Sequence, residues 1–154
     1  HATLNTPSIP SPALETTFRL DQAPAAGGAY IGVIARDSTA GKYLVRAWLR
    51  PDGTIWLVAH RGGTVLATQA VSGHAFAANT SYTLKVTVTG TAQASIKAKI
   101  WATGTTEPTD WQLKATDNTP LQPGGGVGLS GNRSGSSTAA AIVSFDSFRV
   151  TAAE

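Results

Sequence analysis

The sequence predicts an all-β domain, and three observations carry that prediction. Apolar and polar residues alternate with a period of two in at least eight segments. Those segments are rich in Val, Ile, Thr and aromatic residues, with Gly, Pro, Asn and Asp between them. A helical period is almost absent. Short strands at this spacing make a sandwich or a barrel.

In chain order the predicted strands are "LETTFRL" (14–20), "AYIGVIARD" (29–37), "KYLVRAWL" (42–49), "TIWLVAHR" (54–61), "TVLATQAV" (64–71), "SYTLKVTVT" (81–89), "SIKAKIW" (95–101) and "AAIVSFDSFRV" (140–150). "DWQLKAT" (110–116) and "GVGLS" (126–130) are weaker candidates. Residues 1–13 contain "TPSIPSP", a Pro-punctuated stretch expected to run extended over the surface. Residues 14–154 are expected to form a single domain.

A chain of 154 residues can bury a core without staples. Cysteine is absent, which excludes a disulfide framework, thiol chemistry and Cys-based zinc. Methionine is absent too, so His1 is no initiator and the chain reads as a processed piece of a longer one. No apolar run approaches the roughly 20 residues that span a bilayer, so membrane insertion is not expected. Low charge with abundant Gly, Ala, Thr and Ser fits a secreted or extracellular bacterial β-domain. The net charge of +3 raises the question of an anionic partner, nucleic acid or an acidic polysaccharide. The 12 Lys and Arg are scattered rather than clustered, which argues against nucleic acid.

"RAWLRPDGTIWLVAHR" (46–61) can be registered from its turn. Pro51 suits the turn position that wants φ near −65°, and Gly53 the left-handed one, giving a type I turn closed by a glycine bulge. Arg50 then faces Thr54, Leu49 faces Ile55, Trp48 faces Trp56, Ala47 faces Leu57 and Arg46 faces Val58. Tyr43, Val45, Ala47, Leu49, Ile55, Leu57 and Ala59 form the core face. Arg46, Trp48, Arg50, Trp56, Val58 and His60 form the other. The next turn, Gly62-Gly63, would pair Arg61 with Thr64, and hence Trp56 with Gln69 and Val58 with Ala67. The expected strip is Arg46, Trp48, Trp56 and Gln69, with Arg50 at its flank. Indole faces beside forked or planar hydrogen-bonding groups suit a sugar ring. An opposed aromatic pair can also serve only to stabilise the sheet, and a protein contact or a covering loop is a further use.

From residue 14 onward the pieces "GGAYIGVIARD", "YLVRAWLRPDGTIWL", "YTLKVTVTGT…IKAKIWATGTTEPTDWQL" and "VGLSGNRSG…VSFDSFRV" resemble the concanavalin A-like (laminin-G-like) jelly-roll domains. The nearest likeness is to the non-catalytic carbohydrate-binding modules among them. The resemblance implies a jelly-roll sandwich of two antiparallel sheets, with 29–71 on the concave sheet and a glycan in its groove. It also implies an extra first strand, of which 1–13 would be the remnant unless another chain supplies it. Asp146 becomes the candidate ligand of a structural calcium ion, the one cofactor considered. Trp101 and Trp111 fall in pieces generic to such domains and are expected to be structural.

The paired carboxylates of sugar hydrolases are not found. None of Glu15, Glu107 and Glu154 is two or three places from a second acid on a groove strand. His60 and His74 sit near no nucleophile elbow, and with terminal His1 they give no metal-ligand spacing. "GVGLSG" (126–131) leads into a loop and a strand rather than a helix, so it is no nucleotide site. Asn79 and Asn132 head glycosylation-type triplets, read as coincidental. The expectation is therefore a non-catalytic domain of a secreted or surface protein, binding a polysaccharide through Trp48, Trp56, Arg46, Arg50 and Gln69. The alternative is a structural or adhesive domain of a phage particle or cell-surface assembly, contacting neighbouring protein chains.

Overall fold

The structure, a computed structural model, describes residues 2–4, 9–136 and 140–154. The described residues form eleven strands: β1 (Ala2–Leu4), β2 (Pro12–Leu20), β3 (Ala29–Ser38), β4 (Gly41–Leu49), β5 (Thr54–Arg61), β6 (Thr64–Ala75), β7 (Ser81–Thr89), β8 (Ala94–Ala102), β9 (Leu113–Asp117), β10 (Gly126–Arg133) and β11 (Val143–Ala152). Six form one antiparallel sheet in the order β1-β10-β3-β4-β5-β6, and five form a second in the order β11-β2-β7-β8-β9. The two pack face to face as an all-β sandwich. Each predicted strand is present. Within the segment 1–13, Ala2–Leu4 pairs with β10, while His1 and residues 5–8 lie outside the described residues.

Alternation builds the core. Leu14 and Phe18 of β2, Ile31 and Val33 of β3, Leu84 and Val86 of β7, and Ile96 and Ile100 of β8 all point between the sheets and are buried. The hairpin register is as expected, with Trp48 opposite Trp56 and Leu49 opposite Ile55. Its turn is closed by the Gly53 amide donating to the Arg50 carbonyl at 3.0 Å, with Gly53 at φ 82°. All seven assigned core-face residues, Tyr43 to Leu49 and Ile55 to Ala59, are buried.

The β5–β6 pairing departs from expectation. Arg61 does face Thr64 and His60 faces Val65, but Ala59 faces Ala67, so Leu66 is an extra residue in β6. This bulge moves every later partner by one and exchanges the faces. Gln69 lies opposite the core-facing Leu57, and Trp56 lies opposite Ala70. Gln69 therefore leaves the tryptophan face, and its amide donates to the Ala70 carbonyl.

Two boundaries also have local causes. β9 starts at Leu113 rather than at 110 because the Gln112 side chain takes the place of a paired strand residue. Its Oε1 accepts the Ile100 amide at 2.7 Å and its Nε2 donates to the Ile100 carbonyl at 3.1 Å. β11 starts at Val143 because the Asp21 carboxylate takes the amide of Ile142 at 2.8 Å.

One end of the sandwich is closed by a polar network. The Tyr43 hydroxyl donates to Asp117 Oδ2 at 2.7 Å and accepts the Leu121 amide at 3.0 Å. Arg61 Nε lies 3.4 Å from the same carboxylate oxygen, and the Thr119 amide donates to the other. Arg36, a bulge residue at φ 52°, is buried and donates to the carbonyls of Leu121 and Pro10. Burial, followed by the bond donated to Asp117, pushes the Tyr43 pKa up to about 12. Burial would raise Asp117, but the bonds from Tyr43 and Thr119 and the charge of Arg61 outweigh it and hold the carboxyl below its ordinary range.

Candidate functional site: an arginine and aromatic ladder on the outer sheet face

Strand register places Tyr30, Trp48 and Trp56 side by side on β3, β4 and β5, on the face of the six-stranded sheet turned away from the core. The Tyr30 and Trp48 rings stack with centroids 5.6 Å apart and planes at 15°. Trp48 and Trp56 are 6.5 Å apart and tilted by 49°. The Arg46 guanidinium lies 4.5 Å from the Tyr30 centroid. That of Arg50 lies 5.0 Å from Trp48 and 5.7 Å from Trp56. The result is a ladder in which arginines and rings alternate, rather than a bare aromatic platform.

Trp48 and Arg46 are held in place by their surroundings. The Trp48 indole N–H donates to the Gly27 carbonyl at 3.0 Å. A Cβ on Gly28 would stand 2.7 Å from that indole nitrogen, and Gly28 sits at φ 86°, so both geometry and space require glycine there. Arg46 lies over Gly32, where an added Cβ would meet the Val45 carbonyl oxygen at 2.2 Å and Arg46 Cγ at 2.8 Å. Arg46 Nη2 donates to His60 Nε2 at 2.8 Å. An arginine can only donate, so this imidazole is neutral with its proton on Nδ1. Burial, then the charge of Arg46, lowers the His60 pKa from its ordinary value.

Of the five predicted binding residues, Arg46, Trp48, Arg50 and Trp56 share this face, and Gln69 does not. Tyr30 is the member that sequence reasoning missed. Its signal is present, because Tyr30 pairs with Trp48 once β3 and β4 are registered. That register is hidden by a shift between Ala35 and Ser38, where Arg36 adopts its left-handed conformation without being glycine. A shallow cleft of about 290 Å³ runs along Trp48 and Arg50 and is bounded by Gly27, Pro51 and Asp52. A larger one of about 370 Å³ opens elsewhere, among Leu20, Ile31, Arg133 and Val143.

Asp146 is exposed and is the extra residue of a β-bulge in β11. Calcium takes six to eight oxygens, and among the described residues no group of three His, Asp or Glu converges at Asp146 or elsewhere. Trp101 is buried, and Trp111 carries the Lys99 ammonium 4.9 Å from its ring.

Comparison with solved structures gives the same architecture at low identity. The carbohydrate binding module CBM66 from Bacillus subtilis superposes with a TM-score of 0.59 at 14% identity, covering 94% of this chain and 77% of that one. The fold is a jelly-roll sandwich. The GH43 protein BlXynB from Bacillus licheniformis matches with a TM-score of 0.56 at 22% identity, over 94% of this chain and 28% of its own. A xylan beta-1,4-xylosidase from Bacillus halodurans matches with a TM-score of 0.57 at 19% identity, over 91% of this chain and 27% of its own. The chain thus spans about a quarter of the length of those two proteins. No family model and no curated protein sequence matches it.

Proposed function

We propose that this chain is a non-catalytic carbohydrate-binding domain of a secreted or surface protein, taking a polysaccharide on the outer, concave face of its six-stranded sheet. The observation that carries this reading is the ladder itself. Three aromatic side chains and two arginines stand together, part-buried, on the face of the sheet turned away from the core. Rings offer apolar faces to sugar C–H groups, and guanidinium edges offer directional donors to hydroxyls. The jelly-roll likeness to a carbohydrate binding module supports it.

A non-catalytic role is supported by the state of the acids. Glu107 bridges two lysines, and Asp117 is enclosed in the polar network. No pair of carboxylates faces a groove among the described residues, as glycoside hydrolysis would need. The test is affinity electrophoresis of the chain through gels containing different polysaccharides. Retardation by at least one, lost in a Trp48→Ala, Trp56→Ala double variant that still melts cooperatively, is the expected result. Migration unchanged in every gel, with oligomers seen in solution, would favour the adhesive, protein-contacting alternative.

A further inference from the structure

The geometry points to an acidic polysaccharide as the ligand, with an anionic group of the sugar chain received by Arg46 and Arg50. This inference rests on the carbohydrate reading above and narrows it.

The ladder face is cationic. The positions that register places on it across β10, β3, β4, β5 and β6 include Arg46, Arg50 and His60 and one acid, Asp37, which pairs with Gly126 at the end of the face away from the rings. The ion pairs of the described residues involve Arg61, Lys85 and Lys99, and neither ladder arginine. The nearest acid is Asp52 in the hairpin turn. It accepts the amide and hydroxyl of Thr54 at 3.0 and 2.6 Å and feels Arg50 only weakly. The rings hold Arg50 by a face and leave its N–H edge for a planar anion, which it can grip through two bonds, while Arg46 spends an Nη2 proton on His60 and keeps its Nε buried.

Arg46 is also under-satisfied where it lies. Its Nε is buried with no hydrogen-bond partner, and so is the hydroxyl of Ser130. Ser130 is 1% exposed although it belongs to the outer face, one strand beyond Gly32 in the same row. Buried polar atoms are seldom left unpaired in a finished structure. Two such atoms in one row, separated by a residue without a side chain, mark a place where an acceptor is missing. An anion that lifts Arg46 from the sheet would satisfy the guanidinium and uncover Ser130. The charges are two arginines framed by aromatic rings, not a track of lysines following a phosphate backbone, so a sugar chain fits better than nucleic acid.

The test is titration of the whole chain with polygalacturonate, dextran sulfate, neutral galactan and oligo(dT). The expected result is binding of at least one acidic polysaccharide about tenfold or more tightly than galactan. That binding should weaken as NaCl rises from about 50 to about 500 mM. A carboxylate-only or a sulfate-only response identifies which anion is read, and either supports the inference. Arg46→Gln and Arg50→Gln should each lower acidic-polymer affinity about fivefold or more. A Lys97→Gln, Lys114→Gln variant, which removes two charges from the other sheet, should leave it unchanged. Galactan bound as tightly as the acidic polymers overturns the inference and leaves the carbohydrate reading standing. Equal loss in the lysine variant, or oligo(dT) bound as tightly as the polysaccharides, also overturns it. Binding of no polysaccharide overturns both readings.

Discussion

The outer faces of the two sheets use the same contact to opposite ends. On the five-stranded sheet, Lys99 sits over Trp111, as Arg46 and Arg50 sit over rings on the six-stranded sheet. There, however, Glu107 reaches back to Lys99 at 2.7 Å and Lys85 at 3.2 Å, and Lys99 also donates to the Pro108 carbonyl. The bond from Lys99 leads the causes that hold the Glu107 carboxyl below its ordinary range. A cation over an indole therefore does not by itself mark a binding site. The difference lies in whether a carboxylate reaches the cation, and among the described residues none pairs with either ladder arginine.

That comparison can be pressed at several points. The largest effect is expected where the carboxylate is buried deepest. Asp117→Ala removes the partner of Tyr43 and Arg61 and should cost about 3 kcal/mol in urea unfolding. The acid dependence follows from its depressed pKa. Stability from Asp117 is complete above the ordinary carboxylate range near pH 4 and is lost as pH falls through the lower folded value. At the alkaline end Tyr43, raised to about 12, contributes stability that is complete below about pH 10 and disappears by about pH 12. A Tyr43→Phe variant should lack that alkaline loss, which a pH series of melting curves would show.

Next in size are the tryptophans. Trp56→Ala should weaken glycan binding by about 1–3 kcal/mol with a smaller cost to folding, because no core cavity opens. Trp48→Ala should weaken binding similarly and also cost about 1–2 kcal/mol of stability. It loses the Tyr30 stack and the bond to Gly27. Equal destabilisation by both, with binding untouched, would show the ladder to be packing alone. Smaller again is Glu107→Gln. The pairs it breaks are partly exposed, so stability should change by less than about 1 kcal/mol. It should nevertheless give the five-stranded face a weak affinity for acidic polymers, readable as a new salt-sensitive phase in titration. The smallest effect is at His60, whose titration followed by NMR should have its midpoint below the ordinary value near 6.5. Its contribution to stability is complete above that value and is lost as pH falls through the lower folded one.

The legible parts of this fold were those whose geometry a turn residue announces. Pro51 and Gly53 fix the hairpin, and with it four of the five residues expected at the site. The parts that escaped are set by bulges without a signature. Leu66 is an ordinary strand residue, yet its insertion turns Gln69 to the other face. Arg36 takes a left-handed conformation that sequence reading reserves for Gly or Asn, and it conceals the register that brings Tyr30 beside Trp48. Gln112 ends a strand early by lending its side-chain amide to the Ile100 backbone, an exchange that composition cannot reveal. The fold survived these errors because alternation within each strand is local. The composition of the site did not, because it depends on how one strand is counted against the next.

Gly32 has a consequence for how such a surface could diversify. A Cβ there would meet the Val45 carbonyl oxygen at 2.2 Å and both Cα and Cγ of Arg46 at 2.8 Å, so the pairing of β3 with β4 itself requires the glycine. Any side chain at 32 would disturb the register that sets Tyr30 beside Trp48. The backbone under the charge is thus closed to change, and ligand preference on this sheet can drift through the half-buried side chains around it instead.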